Sequence, residues 1–290
     1  MRRQYLDMKR LHSDAILFFR LGDFYEMFDE DAITASDALR IVLTSREIGK
    51  GEKIPMCGVP HHAAENYISR LLEAGHKVAI CDQIGQPGAG LVERRVTRVI
   101  TPGTVVDDGM LAPDRNNYIA AAIPHHAGYG VAYADVTTGE FVASEFEGDS
   151  CVYRVNRELA RISPVELLLE SGSEITPSDG VHVTFDSQTT IEPEAAHRSL
   201  EQIVGASAHA APIGDGAAIA AARLLAYIGA NQESSLHVFT SIEVPVLGDR
   251  VELDEFTRRN LEIDKTAFEG QKRGSLLGLL DRTQTPMGAR

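Results

Sequence analysis

Among 290 residues there are only three cysteines, Cys57, Cys81 and Cys151, and no two of them form a CxxC pair. That excludes a disulfide framework and suits a reducing compartment. No uninterrupted apolar run approaches the roughly 20 residues a membrane helix needs. The start, Met1-Arg2-Arg3-Gln4-Tyr5, is basic, but no apolar segment follows it. Neither a signal peptide nor a membrane partner is therefore expected, and the expected location is cytoplasmic. No GxxxxGK[ST] occurs anywhere, which excludes a phosphate-cradling loop and an ATPase built on one within these residues.

Positive charge is also scarce. The formal net charge is −14 and the isoelectric point is near 5.1, which argues against a generic nucleic-acid binder. The distribution softens that objection. Residues 1–103 hold 14 Lys+Arg and 14 Asp+Glu, while the remainder holds the other 14 basic residues against 28 acidic ones. Charge permits contact with DNA only at the front of the chain.

What is present centres on Leu21-Gly22-Asp23-Phe24-Tyr25-Glu26-Met27-Phe28. The apolar run Ile16 to Phe19 before it reads as a strand, Gly22-Asp23 as a turn, and the residues beyond as a second strand. Period-two alternation then places Phe24, Glu26 and Phe28 on one side and Tyr25 and Met27 on the other. A carboxylate sharing a face with two phenylalanines is a conflict of the kind that marks functional or strained sites. In one reading Phe24 is ordinary core and Glu26 reaches out at a strand end. In the other, the pair meets something flat with polar edges, such as a nucleobase.

The remaining pattern alternates helices with strands, an α/β arrangement. Helices are expected over 4–12, from Asp29 through Leu39, and over 63–74; strands are expected over Arg40–Thr44 and Lys77–Cys81, with a polar loop from Arg46 to Lys53. From Asn117 three strands joined by turns precede a helix (152–161), strands at Val165–Leu169 and Val181–Phe185, and helices at 193–206 and 216–229. Further helices are expected over Asp254–Ile263 and Ser275–Leu280. His61-His62 with Cys57 and Cys81 does not match a standard zinc spacing, so no metal is expected there; the histidines are read as shaping a turn and capping a helix start. The basic cluster Arg94, Arg95 and Arg98 is either a solvated strand face or a DNA contact, and of the adjacent Arg94 and Arg95 only one can face a duplex.

The stretch Gly22 to Phe28 resembles the signature of the mismatch-recognition domain of the MutS family. Ile54-Pro55-Met56-Cys57-Gly58-Val59-Pro60-His61-His62-Ala63, Ala79-Ile80-Cys81-Asp82-Gln83-Ile84-Gly85, Val92-Glu93-Arg94-Arg95-Val96 and Thr101-Pro102-Gly103-Thr104 follow in that family's order. The likeness is dense over 1–105, weaker in the middle, and returns at Thr257 to Ile263 and Thr285 to Arg290. The resemblance implies a mixed α/β mismatch-recognition domain at 1–105, a linker at 106–116, a ribonuclease-H-like α/β connector at 117–240, and the beginning of an all-α core at 241–290. It also implies that these residues are the N-terminal part of a longer protein.

By the same resemblance, Phe24 stacks on a mispaired base, Glu26 touches that base's edge, and Arg46, His61, Arg94 and Arg95 contact the DNA backbone. Full-length members bind ATP and magnesium further along, form a homodimer in which one subunit inserts its phenylalanine, and engage a MutL-type repair partner. No cofactor is expected within these residues. The connector's layout raises an alternative of another class, a metal-dependent ribonuclease-H-like nuclease using Asp135, Glu166 and Asp186. Against it, Asp135 lies in a sequence where a turn-forming Asp is expected anyway.

Overall fold

The computed structural model describes residues 1–47, 52–84, 93–113, 115–126, 128–186, 191–204, 212–245, 253 and 255–289. Two compact units make up the chain: Met1–Leu111 with Gly229–Glu233, and Ala112–Ile228 with Ser234–Arg290. Both are α/β, as the alternating pattern anticipates.

The first unit is a six-stranded sheet of β1 (Ala15–Leu21), β2 (Phe24–Phe28), β3 (Thr44–Glu47), β4 (Lys53–Pro60), β5 (Lys77–Ile84) and β6 (Glu93–Ile100). Their order is β3-β4-β2-β1-β5-β6, with β1 and β5 parallel and the other neighbours antiparallel. Alternation gives the sheet two buried faces. Ile16, Phe18, Tyr25, Met27, Cys57, Val59, Val78 and Ile80 lie under Ala32, Ala35 and Leu39 of α2 (Asp29–Leu39) and Ile68 and Leu71 of α3 (Ala64–Glu73). On the other face Leu17, Phe19, Phe28, Ile54, Ala79 and Cys81 are covered by Tyr5 of α1 (Arg2–Leu11).

One polar knot fixes where α1 stops covering that second face. The Tyr5 hydroxyl lies 2.9 Å from an Asp31 carboxylate oxygen and 3.0 Å from the Phe28 carbonyl. Asp31, itself buried, also accepts the Leu17 N–H at 3.1 Å and pairs with Lys9 at 2.8 Å. Burial first, and then the Asp31 charge, push the Tyr5 hydroxyl far above its ordinary pKa, so it stays a donor at any physiological pH. The helix is thus anchored at the Phe28 end of β2, and the Phe24 end lies beyond it.

The expected strand at Arg40–Thr44 does not form. Arg40 ends α2 in the left-handed conformation (φ 52), and the strand begins only at Thr44. Val42 is left 82% exposed. Strand preference reflects packing on a pleated surface, and residues 41–43 have no partner strand on which to express it. Arg46 lies on β3 rather than in a loop. Of the expected loop, residues 48–51 lie outside the described residues.

The second unit carries a sheet of order β11-β10-β7-β8-β9, from β7 (Ile119–His125), β8 (Gly128–Ala134), β9 (Phe141–Glu147), β10 (Glu166–Glu170) and β11 (His182–Asp186). β7, β8 and β9 form an antiparallel meander, and β10 runs parallel to both β7 and β11. Helices α4 (Cys151–Ile162), α5 (Pro193–Val204) and the alanine-rich, largely buried α6 (Asp215–Asn231) follow. Beyond them are three short helices, α7 (Glu255–Asn260), α8 (Leu276–Leu280) and α9 (Pro286–Ala289). The helix expected through Ile263 ends at Asn260, and Glu262 follows at φ 49. Ser275 caps α8 through its hydroxyl, which accepts the Gly278 N–H at 3.1 Å. Among the described residues no helix is long and apolar enough to cross a membrane.

Candidate nucleic-acid interface

Strands β1 and β2 meet in a two-residue hairpin, with Leu21 paired to Phe24 and Gly22 at φ 60. Positive φ at the first loop position is what such a tight turn requires, and glycine meets it without a Cβ clash. The loop is pinned by the His61 N–H, which donates to the Asp23 carbonyl at 2.9 Å. At this tip Phe24 is 48% exposed, whereas Tyr25, Met27 and Phe28 of the same strand are buried. Phe24 is therefore not core. The alternation expected from sequence holds, with Phe24, Glu26 and Phe28 on one face, but α1 covers that face only at Phe28, whose ring stands edge-on to Tyr5 at 5.0 Å.

Glu26 is held by Arg46, with its carboxylate 2.5 Å from the guanidinium. The two come from strands separated by β4, where Gly58 faces Glu26 and Ile54 faces Arg46. Arg46 reaches back along the face, its guanidinium 6.0 Å from the Phe28 ring centroid. Gly58 makes room for this. A Cβ there would lie 3.2 Å from the Tyr25 carbonyl oxygen, a tight contact, and in ordinary contact with Glu26 Cγ at 3.6 Å. Gly58 was not singled out from sequence, although it sits inside one of the recognised motifs.

The neighbouring arginines divide by face. Arg94 pairs with Gln83 and Arg95 with Asp82 on β5. Arg94 shares the face of Phe19, Glu26 and Phe24; it donates to the Arg20 carbonyl at 2.8 Å and lies 5.2 Å over the Phe19 ring. Arg95 is exposed on the opposite face with Glu93 at 3.6 Å, and Arg98 pairs with Asp107 at 3.2 Å. His61 is exposed at the hairpin tip, its ring 5.5 Å from that of Tyr25. It opens a 3-10 turn, His61–Ala63, that runs into α3, but neither histidine side chain caps that helix. Tyr25 extends the set on this side: its hydroxyl donates to Asp82 at 2.8 Å and Arg20 lies 5.5 Å over its ring.

Cys57 and Cys81 face opposite sides of the sheet and belong to separate cores, so they cannot ligate one ion. Burial pushes the Cys57 thiol up to about 11 and the Cys81 thiol up to about 12, with a nearby aspartate adding to each. A thiol so raised stays protonated and unreactive at pH 8. We expect iodoacetamide at pH 8 to modify Cys151, which is partly exposed, while Cys57 and Cys81 react only after denaturation. Peptide mass mapping with and without urea reads this out, and early labelling of Cys57 would mean that this core opens.

In the second unit the three carboxylates considered for metal chemistry are not brought together. Asp135 is buried and accepts the N–H groups of Asn117 at 2.9 Å and Thr137 at 2.8 Å, plus the Thr137 hydroxyl at 2.6 Å. Glu166 accepts hydroxyls from Thr184 at 3.0 Å and Tyr227 at 2.6 Å. Asp186 receives Arg223 at 2.9 Å. The register pairs Glu166 with His182 but Glu170 with Asp186, which sets Glu166 and Asp186 four residues apart, about 13 Å along parallel strands.

Among the described residues one group could offer three ligand atoms to a cation, His125, Glu145 and Glu147, with those atoms within 4.8 Å of one another. Two of the three already serve packing. Glu145 takes His125 Nε2 at 2.8 Å and the Gly216 and Ala217 N–H groups at 3.1 and 3.4 Å, capping the start of α6. A Cβ on Gly216 would fall 2.1 Å from His125 Cδ2, so the helix start sits directly on this pair.

Comparison with known proteins places these units in one lineage. The family model of MutS domain I matches residues 1–109, and that of MutS domain II matches residues 117–240. The DNA mismatch repair protein MutS of Syntrophomonas wolfei is 43% identical over 303 residues, covering 100% of this chain and 35% of that protein. Those of Myxococcus xanthus (40% over 307 residues) and Anaeromyxobacter dehalogenans (42% over 301) each cover 100% of the chain and 34% and 33% of their own length. The chain spans about a third of the length of the curated relatives it matches. With both domain models matched in order and such identity along its whole length, the chain belongs to the MutS family.

Proposed function

We propose that the first unit reads duplex DNA for mismatched or unpaired bases, with Phe24 stacking on the mispaired base and Glu26 contacting its edge. The observation that carries this is a half-exposed phenylalanine at a pinned hairpin tip, on one face with a carboxylate. An aromatic wedge unstacks a base step and kinks the duplex at a cost of roughly a few kcal/mol. A mispaired step is already weaker, so deformability does most of the discrimination in any sequence context. In this reading Arg46, His61 and Arg94 meet the backbone, while Arg95, on the opposite face of β6, does not. The chain acts as the reading head of a mismatch-repair protein, as its relatives' names suggest, and the family resemblance implies that the longer protein is an ATPase. By the same resemblance, ATP and magnesium and the homodimer contacts belong to parts of such a protein beyond these residues, and a MutL-type repair partner engages the longer protein.

Titrating the purified chain against matched and mismatched duplexes at two salt concentrations tests the proposal, and equal affinity for both would refute it. The two adjacent arginines give a sharper expectation. Arg95 is exposed on the face away from Phe24, so Arg95→Ala should leave both affinities, the salt slope and the melting temperature nearly unchanged. Arg94→Ala should weaken both duplexes alike, lower the salt slope by about one unit, and also lower the melting temperature, because its guanidinium ties β6 to the Arg20 carbonyl. Should Arg94→Ala affect a single mismatch type, that residue reads bases rather than phosphates; a lower salt slope for Arg95→Ala would place the duplex on the other face.

A further inference from the structure

The Glu26–Arg46 contact is an ion pair between two groups that the proposed function sends to different parts of the DNA, and the inference below rests on that function. We infer that Arg46 is a specificity-determining residue: held by Glu26 in the free protein, it is released to a phosphate only when Glu26 finds an opened base.

Three features support an exchange of partners rather than a fixed strut. The pair lies at the surface, with side chains 39% and 19% exposed, where ion pairs are weak and readily broken. Arg46 has a second partner besides Glu26, since its guanidinium lies 6.0 Å from the Phe28 ring centroid. Gly58, opposite Glu26 on β4, places no side chain beside the carboxylate, so the guanidinium can approach and leave Glu26 at that end of the pair.

The consequence is a coupling between base and backbone contacts. On matched DNA no base edge reaches Glu26. If Arg46 then left for a phosphate, it would strand a carboxylate beside the polyanion; if it stays, the backbone loses one cationic contact. Either way matched DNA is disfavoured. On a mismatch the opened base engages Glu26, the pair dissolves, and Arg46 adds a phosphate contact. One lesion thus yields two interactions, and the two sites are linked as any coupled binding sites are.

A double-mutant cycle tests this in the full chain, with Glu26→Gln, Arg46→Ala and the double variant each titrated on matched and mismatched duplexes at several salt concentrations. Glu26→Gln frees Arg46, so it should tighten matched binding by about five-fold or more and steepen the salt slope by about one unit. In the Arg46→Ala background the same change should do neither. Arg46→Lys, which keeps the charge, should restore the response, and unchanged melting of each variant confirms that the fold is intact. Equal tightening by Glu26→Gln in both backgrounds would mean the carboxylate repels phosphate directly and Arg46 is a bystander, overturning the inference. No tightening in either background overturns it too. Both outcomes leave mismatch recognition standing; that fails separately, if the unaltered chain shows no preference between duplexes.

Discussion

Phe24→Ala should abolish most of the preference for a mismatched over a matched duplex while leaving the fold almost as stable as before. Stacking of an aromatic side chain on a base is worth about 1–3 kcal/mol, and about 1.4 kcal/mol is ten-fold in affinity. The ratio of the two affinities should therefore fall by roughly ten-fold or more. Stability should move little, because Phe24 is 48% exposed and its removal leaves no cavity; surface changes usually stay within about 0.5 kcal/mol. Phe28, four residues along the same strand, is the internal control. It is 1% exposed and packed edge-on against Tyr5, so Phe28→Ala should cost about 3–5 kcal/mol. Urea melts of the two variants beside the duplex titrations separate the cases. A Phe24→Ala variant that melts like Phe28→Ala, or that still prefers the mismatch, would end the account of Phe24 as a wedge.

The contrast between these two residues shows how far the sequence could be followed. Alternation correctly grouped Phe24, Glu26 and Phe28 on one face, and the odd carboxylate among them pointed to a functional site. Which of the two phenylalanines was free depended on where α1 stops. That is set by the Tyr5–Asp31–Leu17 knot, which joins residues 14 and 26 positions apart and leaves no local signature. Arg46 was misplaced into a loop for a related reason. Thr44-Ser45-Arg46-Glu47 is a polar edge strand with no apolar alternation to reveal it, and the apolar residues just before it drew the strand assignment away. Parity along β6 was legible, since only one of Arg94 and Arg95 could share the face of Phe24. Which one it was required the register with β5 and a bulge between Ile80 and Cys81. In the second unit the apolar strands announced themselves as nearly continuous buried runs. The partners of their acidic residues did not, because Arg223 of α6 meets Asp186 across 37 positions.

That arginine carries the largest stability effect expected in the second unit. Glu170 and Asp186 end β10 and β11 directly opposite one another, an arrangement that two like charges disfavour. Arg223, 1% exposed, resolves it by donating to both: Nε reaches Asp186 at 2.9 Å and a terminal nitrogen reaches Glu170. Arg223→Ala would take from Asp186, whose side chain is 7% exposed, the guanidinium that offsets its repulsion with Glu170. Removing one partner of such a group costs about 3–5 kcal/mol, so the variant should unfold at clearly lower urea. Replacing all three by apolar residues of similar volume should recover much of that loss, because no unpaired charge then remains. The same experiment bears on the nuclease alternative. A metal-binding carboxylate is held in place by its ion and can be neutralised without harm to the metal-free fold. Here Asp186→Asn should itself destabilise, since it removes the anion that Arg223 is buried against. If Asp186→Asn leaves the urea midpoint unchanged and the chain cleaves nucleic acid in magnesium, Asp186 is not a structural anchor and the ribonuclease-H-like chemistry returns.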